Sequence, residues 1–498
     1  MNKCILKLLI ILLSFMPIGV ACSNENINNA RIKGESIDEI TQEESTSQEW
    51  EQGNNLPVIV IDTNGVKING TEKINGTMKF YNSDNELNYR IDEPAFTSNI
   101  GIKIRGRSSR KFPKKQYSLE LRDEQGTEKE KKILGMSKDS DWVLNAPFED
   151  KSLIRNYMAY NISGKIMNYA PGSKFCEVYL LDDGSSEIEE KHYKGLYLMI
   201  EKIKRGNDRV DILPSQDDKG ETSFIVAKDQ PKEGDIVIQT YGKEIYIYDY
   251  GIVGIYPNRD ITDNQIDYIS KTISEFERVL YSDKYDVVGE GYGEHIDVDS
   301  FVDYFIINEF FNNTDAGIFS TYIYKDYGEK IKAGPVWDFN ISMGNSNLLS
   351  EYYDYAGFYM PQTSWFERLM RDKKFVSKVI NRYKLLRKTY FSDEYLIEFI
   401  DDTVELLGDA PERNFTEWPI YLSNQAEVFK NNHIEIFAPY EHDVKLLDEF
   451  FKANPRLLYP TEGMAQSYEE EIRMLKEFLI NRGAWIDENI ESLYKWTD

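Results

Sequence analysis

Residues 301–340 read FVDYFIINEFFNNTDAGIFSTYIYKDYGEKIKAGPVWDFN. The apolar run from Phe301 to Phe311 predicts a helix, about 299 to 312, that ends at Asn312-Asn313-Thr314-Asp315. Thr321 to Lys325 and Lys330 to Val336 then read as a short β pair around the turn Asp326-Tyr327-Gly328-Glu329, and the second strand runs out at Trp337-Asp338-Phe339-Asn340. Asp315 and Asp338, 23 positions apart, therefore sit on loop edges held by rigid elements. Two carboxylates flanking one hairpin can converge on a point, and with amide oxygens they are the hard donors Mg²⁺ takes. The same spacing also fits a turn cap at Asp315 and a structural ion pair at Asp338.

Upstream of this stretch the pattern is β. Val58 to Ile61, Thr77 to Tyr81, Ile102 with Ile104, and Tyr117-Leu119-Leu121 alternate with polar residues from Leu56 to about Leu121, which predicts an antiparallel sheet. Ile154, Met158, Ile162 and Ile166 then recur every fourth residue behind possible caps at Asp150 and Ser152, predicting a helix between 150 and 167. Strands are expected again at Glu177 to Leu181, Gly195 to Glu201, Phe224 to Ala227, Ile236 to Thr240 and Glu244 to Tyr248, the last two joined at Tyr241-Gly242-Lys243. From Thr262 helices dominate, at about 262–281, 299–312, 365–390, 394–408, 440–453 and 467–494. Strands first and helices later predict an α+β unit of two lobes, β-rich over about 56–258 and α-rich over about 259–498, with a nucleotide-sized cleft between them.

Composition narrows the possibilities. With 41% hydrophobic residues, 13% aromatics and no Pro/Gly/Ser-rich linker in the middle, the chain can fill a large core as one unit. A formal net charge of -26 argues against nonspecific binding to nucleic acid or anionic lipid, both of which need basic surfaces. The N-terminus carries Lys3 and Lys7, an apolar run from Leu8 to Phe15 and small residues before Cys22, the pattern of an export signal over residues 1–22. Gly19-Val20-Ala21-Cys22 is similar to a bacterial lipobox, which makes Cys22 the expected lipidation site and the location extracytoplasmic, either lipid-anchored at the cell membrane or secreted. Residues 23–55, poor in large apolar side chains, read as a flexible tether. Cys176, alone in the mature chain, reads as a buried small hydrophobe in a strand.

An acidic chain that binds a polyphosphate has to concentrate its cations. Arg105-Gly106-Arg107-Ser108-Ser109-Arg110-Lys111-Phe112-Pro113-Lys114-Lys115 does so between two predicted strands, with glycine and serines allowing close backbone approach. A solvated basic hairpin is the other reading. Arg155 on the first helix, and Glu201 beside Lys202, are further candidates for phosphate binding and for an acid–lysine pair. The four histidines show no metal-ligand spacing and no triad stands out.

Four blocks together carry a resemblance. Arg105-Gly106-Arg107-Ser108-Ser109 through Lys115-Gln116-Tyr117-Ser118-Leu119; Asp141-Trp142-Val143-Leu144-Asn145-Ala146 with Asp150-Lys151 and Arg155-Asn156; Gly195 to Ile203 with Asp208-Arg209-Val210; and Pro335-Val336-Trp337-Asp338-Phe339-Asn340 stand in one order over roughly residues 95–345. In this the chain resembles the spore-coat protein H (CotH) kinase family. The resemblance implies an atypical protein-kinase-like fold that moves phosphate from ATP, with Mg²⁺ or Mn²⁺, to Ser or Thr of protein substrates. It implies Asp315 as the catalytic acid–base residue, Asp338 and Asp315 with Asn340 as metal donors, and Arg105, Arg107, Ser108, Ser109, Lys115, Arg155 and Glu201 as the nucleotide-binding set. One departure is that the family often has a second Asp where this chain has Asn340, an amide that can ligate but adds no charge. Besides a kinase, the residues allow a non-catalytic cell-surface module binding polysaccharide or protein and, from the paired carboxylates, a glycoside hydrolase.

Overall fold

The computed structural model describes residues 53–83, 87–89, 92–217, 220–244, 251–258, 260–345, 355–420 and 465–498. Seven strands, β1 (Val58–Asp62), β2 (Ile74–Tyr81), β3 (Phe96–Ile104), β4 (Tyr117–Arg122), β5 (Asp141–Asn145), β6 (Ser173–Leu181) and β7 (Tyr193–Glu201), form a closed barrel in the order β1-β2-β3-β4-β5-β7-β6. The antiparallel sheet expected from Leu56 to Leu121 is present as β1 to β4. It closes through a parallel pair in which Val58 of β1 lies opposite Glu177 of β6, and closure leaves no exposed edge. Alternation sets the interior: Ile59, Ile61, Met78, Ile102, Leu119, Trp142, Leu144, Cys176 and Met199 share the barrel core. On the outer face of β5 to β7, Val143, Phe175, Leu198 and Ile200 instead join the core of α1 (Arg155–Ser163), through its Met158 and Ile162. The helix is shorter than expected because the Asp150 carboxylate stands before it, accepting from Ser152 N at 3.1 Å and Arg155 N at 2.9 Å.

A second, five-stranded antiparallel sheet follows: β8 (Phe224–Asp229), β9 (Val237–Ile238), β10 (Gly251–Tyr256), β11 (Thr321–Lys325) and β12 (Lys332–Ala333), in the order β12-β11-β8-β10-β9. It draws strands from both sides of residue 258. Tyr241-Gly242-Lys243, read as a hairpin turn, lie in a 3₁₀ turn, Tyr241–Glu244, and most of the strand expected at Glu244 to Tyr248 lies outside the described residues. The faces of β8 separate its roles. Phe224 and Val226 face the helical core, with Ile269, Ile273 and Phe276 of α2 (Asp263–Leu280), whereas Ile225 packs with Tyr322, Tyr324 and Trp337 on the opposite face.

At the centre of the helical core is α3 (Val298–Phe310), buried on nearly every side as its sequence requires. Around it lie α4 (Ser364–Leu369), α5 (Lys373–Leu386), α6 (Asp393–Leu407), α7 (Ala410–Glu417) and α8 (Tyr468–Asn489). The single helix expected over 365–390 breaks at Asp372, whose carboxylate caps α5 by accepting from Lys374 N at 2.7 Å. The short α7 carries no expectation from sequence and docks on β7, where Leu196 N donates to Asn414 Oδ1 at 3.1 Å. The helix expected at 440–453 lies outside the described residues. The architecture is α+β, and among the described residues no helix is long and apolar enough to cross a membrane.

Candidate functional site

Asp315 is placed by the end of α3. Asn312 takes a left-handed conformation (φ 49°) that stops the helix, a role asparagine tolerates. Asn313 is buried next to it, with Nδ2 donating to Asn308 Oδ1 at 3.1 Å and Oδ1 accepting from Asp315 N at 3.3 Å. The Asp315 carbonyl closes the turn by accepting from Phe319 N at 2.8 Å. Asp338 is placed by α1: its own N–H donates to Tyr160 Oη at 3.2 Å, and Phe339 N donates to Asn156 Oδ1 at 2.7 Å. Tyr160 and Asn156 are one helical turn apart, and the Tyr160 ring stacks on Trp337 with centroids 5.6 Å apart. These contacts hold Asp338 at φ 65°, an uncommon conformation for a residue with a Cβ and one that recurs where side chains are aimed for function.

Electrostatics tie the two acids together. Burial, then the charges of Asp338, Asp229 and Glu149, push the Asp315 carboxyl up to about 7. Burial also pushes Asp338 up to about 6, Asp229 adding to the rise and the Arg105 guanidinium opposing it. Neither carboxylate accepts a hydrogen bond from any described residue. Such a group of partly buried, mutually repelling acids lacks positive charge. Asp229 was not anticipated: one acid at the end of an apolar strand matches no motif. Its strand register was the available signal, because positions 225, 227 and 229 of β8 share the face that Tyr322 of β11 occupies.

The basic segment divides. The Arg105 guanidinium lies 5.5 Å from the Trp337 ring centroid and donates to Gln116 Oε1 at 3.4 Å, beside Asp338. Exposed Arg107 donates to Gln230 O at 3.0 Å, linking the loop after β3 to the residue following Asp229. Ser108 and Ser109 lie in a 3₁₀ turn, Ser108–Lys111. Gly106, at φ 101°, lets Ser109 Oγ come so close that a Cβ there would collide with it. Lys115 donates to Arg110 O at 2.7 Å, and burial lowers its ammonium to about 8. Lys114 is fully buried and donates to Leu196 O at 2.6 Å and Asn414 Oδ1 at 2.7 Å, so it serves the α7–barrel contact.

Two expected site residues are engaged elsewhere. Arg155, read as a phosphate contact, is fully buried and saturated: Nη1 reaches Asp150 Oδ1 at 2.6 Å and Glu471 Oε1 at 2.8 Å, Nε donates to Ser342 O at 3.1 Å, and Nη2 to Met343 O at 3.3 Å. Glu201, read as pairing a phosphate-binding lysine, is buried and accepts from Ser137 N (2.9 Å), Gly172 N (3.0 Å) and Tyr169 Oη (3.2 Å). Its neighbour Lys202 turns to Asp141, 3.6 Å away. Successive residues of a strand point to opposite faces, which separates this acid from its lysine. Cys22 lies outside the described residues.

A family model described as CotH kinase protein matches residues 102–486, a span that includes the loop after β3, α1, Asp315 and Asp338. The chain belongs to the CotH kinase family. No curated protein matches it.

Membership in the CotH family makes Mg²⁺ and ATP the groups against which the donors must be tested. Asp315, Asp338 and the Asn340 carbonyl are hard oxygen donors, and the two acids are short of a counter-charge. Mg²⁺ keeps several waters and uses one or two carboxylates plus substrate phosphates, a demand that two acids and one amide oxygen can meet. The residues fit the group.

Proposed function

We propose that this CotH-family chain is an extracytoplasmic, Mg²⁺-dependent kinase that transfers the γ-phosphoryl group of ATP to Ser or Thr hydroxyls of proteins, lipid-anchored at Cys22 after export. The carrying observation is the pair Asp315 and Asp338, which stand on two loop edges, are both raised by burial, and lie close enough for the Asp338 charge to act on Asp315. We read that arrangement as an atypical two-lobed kinase fold, with the nucleotide between the two parts. Asp338, fixed through its backbone by Tyr160, would hold Mg²⁺ with Asn340 as a neutral oxygen donor, and the ion would supply charge neutralisation for the phosphate oxygens. Arg105 and Arg107, on the loop above β8, offset phosphate charge. Asp315, whose carboxyl titrates near neutrality, accepts the hydroxyl proton as the acceptor oxygen attacks the γ-phosphorus and the bond to the bridging β–γ oxygen breaks, releasing ADP.

The test is phosphate transfer from labelled ATP with Mg²⁺ or Mn²⁺ to the protein itself or to a casein-like acceptor. Asp315→Asn is expected to lower the rate about 10²–10⁴-fold, the usual worth of a positioned base, and Asp338→Asn to abolish metal-dependent nucleotide binding. Wild-type protein that binds no nucleotide would sink the kinase reading and favour a non-catalytic surface module, the alternative that Asn340 keeps in view.

A further inference from the structure

Asn340 carries an amide with two ends of opposite use, since its oxygen can ligate a cation and its NH₂ cannot. The structure fixes which end faces where. Asn340 Nδ2 donates to Glu149 Oε2 at 3.1 Å. An ionised carboxylate only accepts hydrogen bonds, so the NH₂ has to be the end turned toward it, and the amide oxygen is left facing away. That oxygen accepts no hydrogen bond from any described residue. The backbones are locked as well: buried Asn345 donates through Nδ2 to Asn340 O at 2.6 Å and to Glu149 O at 3.3 Å, spanning the two segments. The Lys151 ammonium, which lies 4.5 Å from the Phe148 ring, feels the Glu149 charge. The Glu149 charge also reaches Asp315.

We propose that Glu149 is a positioning residue for the cation site: by holding the Asn340 NH₂, it presents the amide oxygen as a ligand beside Asp338. This rests on the Mg²⁺-nucleotide reading above. Partners that orient ligands in this way commonly contribute about 10–100-fold to metal affinity. The role predicts coupling, because whatever Glu149 does through residue 340 is lost once that amide is gone.

The experiment is a Mn²⁺ titration of the whole protein with a non-hydrolysable ATP analogue, followed by electron paramagnetic resonance, for wild type, Glu149→Ala, which removes the acceptor, Asn340→Ala and the double variant, each checked for an unchanged melting temperature. Glu149→Ala is expected to weaken Mn²⁺ about tenfold. In the Asn340→Ala background the same substitution is expected to change affinity less than about twofold. An equal loss in both backgrounds means that Glu149 acts by charge alone and overturns the proposal, as does no loss in the single variant. Wild type that binds neither Mn²⁺ nor the nucleotide overturns the metal reading itself, a result distinct from either.

Discussion

Two sets of charges meet on the segment from Asp150 to Tyr160. Arg155 is buried with Asp150 and Glu471, and every charge there has a partner and a hydrogen bond. A few residues on, Tyr160 and Asn156 hold Asp338, whose charge acts on Asp315, and neither of these two carboxylates accepts a hydrogen bond from a described residue. The contrast teaches how to sort charged residues in this fold. Saturated charge marks scaffold and unsaturated charge marks a place prepared for something else.

Breaking the saturated set is expected to have the largest effect. Arg155→Met strands Asp150 and Glu471 in the interior and should cost about 3–5 kcal/mol in urea unfolding, as loss of one partner of a buried pair does. Asp315→Asn should act with the opposite sign, stabilising the metal-free protein at pH 8 by roughly 1–2 kcal/mol as a raised carboxyl is replaced by a neutral group. If both substitutions destabilise equally, the distinction fails.

The same comparison can be made by pH. Asp315 and Asp338 have folded-state values of about 7 and 6, above the unfolded carboxylate range, so the folded protein holds more protons between about pH 4 and 7. Their contribution is fully present below about pH 4 and is lost as pH rises through 6 and 7. Measured as the difference between wild type and Asp315→Asn, which isolates Asp315 and its coupling to Asp338, the wild type should lose relative stability as pH rises from about 4 toward 7. The smallest effect is expected at Glu201→Gln: about 1 kcal/mol of stability for weakened hydrogen bonds to backbone N–H groups, with ATP affinity unchanged in a binding titration. A loss of nucleotide affinity there would return Glu201 to the site.

What was legible in sequence was local. The apolar run of α3, its asparagine stop and the hairpin that follows specify their own geometry, so Asp315 and Asp338 could be placed on loop edges from one forty-residue stretch. Arg155 misled because its second acid, Glu471, is 316 positions away and only the tertiary fold reveals that its donors are filled. Asp229 escaped for the converse reason, since what makes it notable is the company of Asp315 and Asp338, not its neighbours in β8. Lys114 shows the same limit inside a single cationic run: one of its members belongs to the core, bonded to a helix 300 positions on.

The barrel's first strand has a mechanical consequence. β1 is bonded along both edges, to β2 and to β6, and just before it Asn54 is fastened to Asn88 through the backbone and to Glu177 through its side chain at 2.5 Å. Tension applied through the preceding residues therefore enters the sheet along a strand clamped on two sides. Such a load is borne in shear by both ladders together instead of peeling one hydrogen bond at a time, so unfolding from that end has to break two ladders at once.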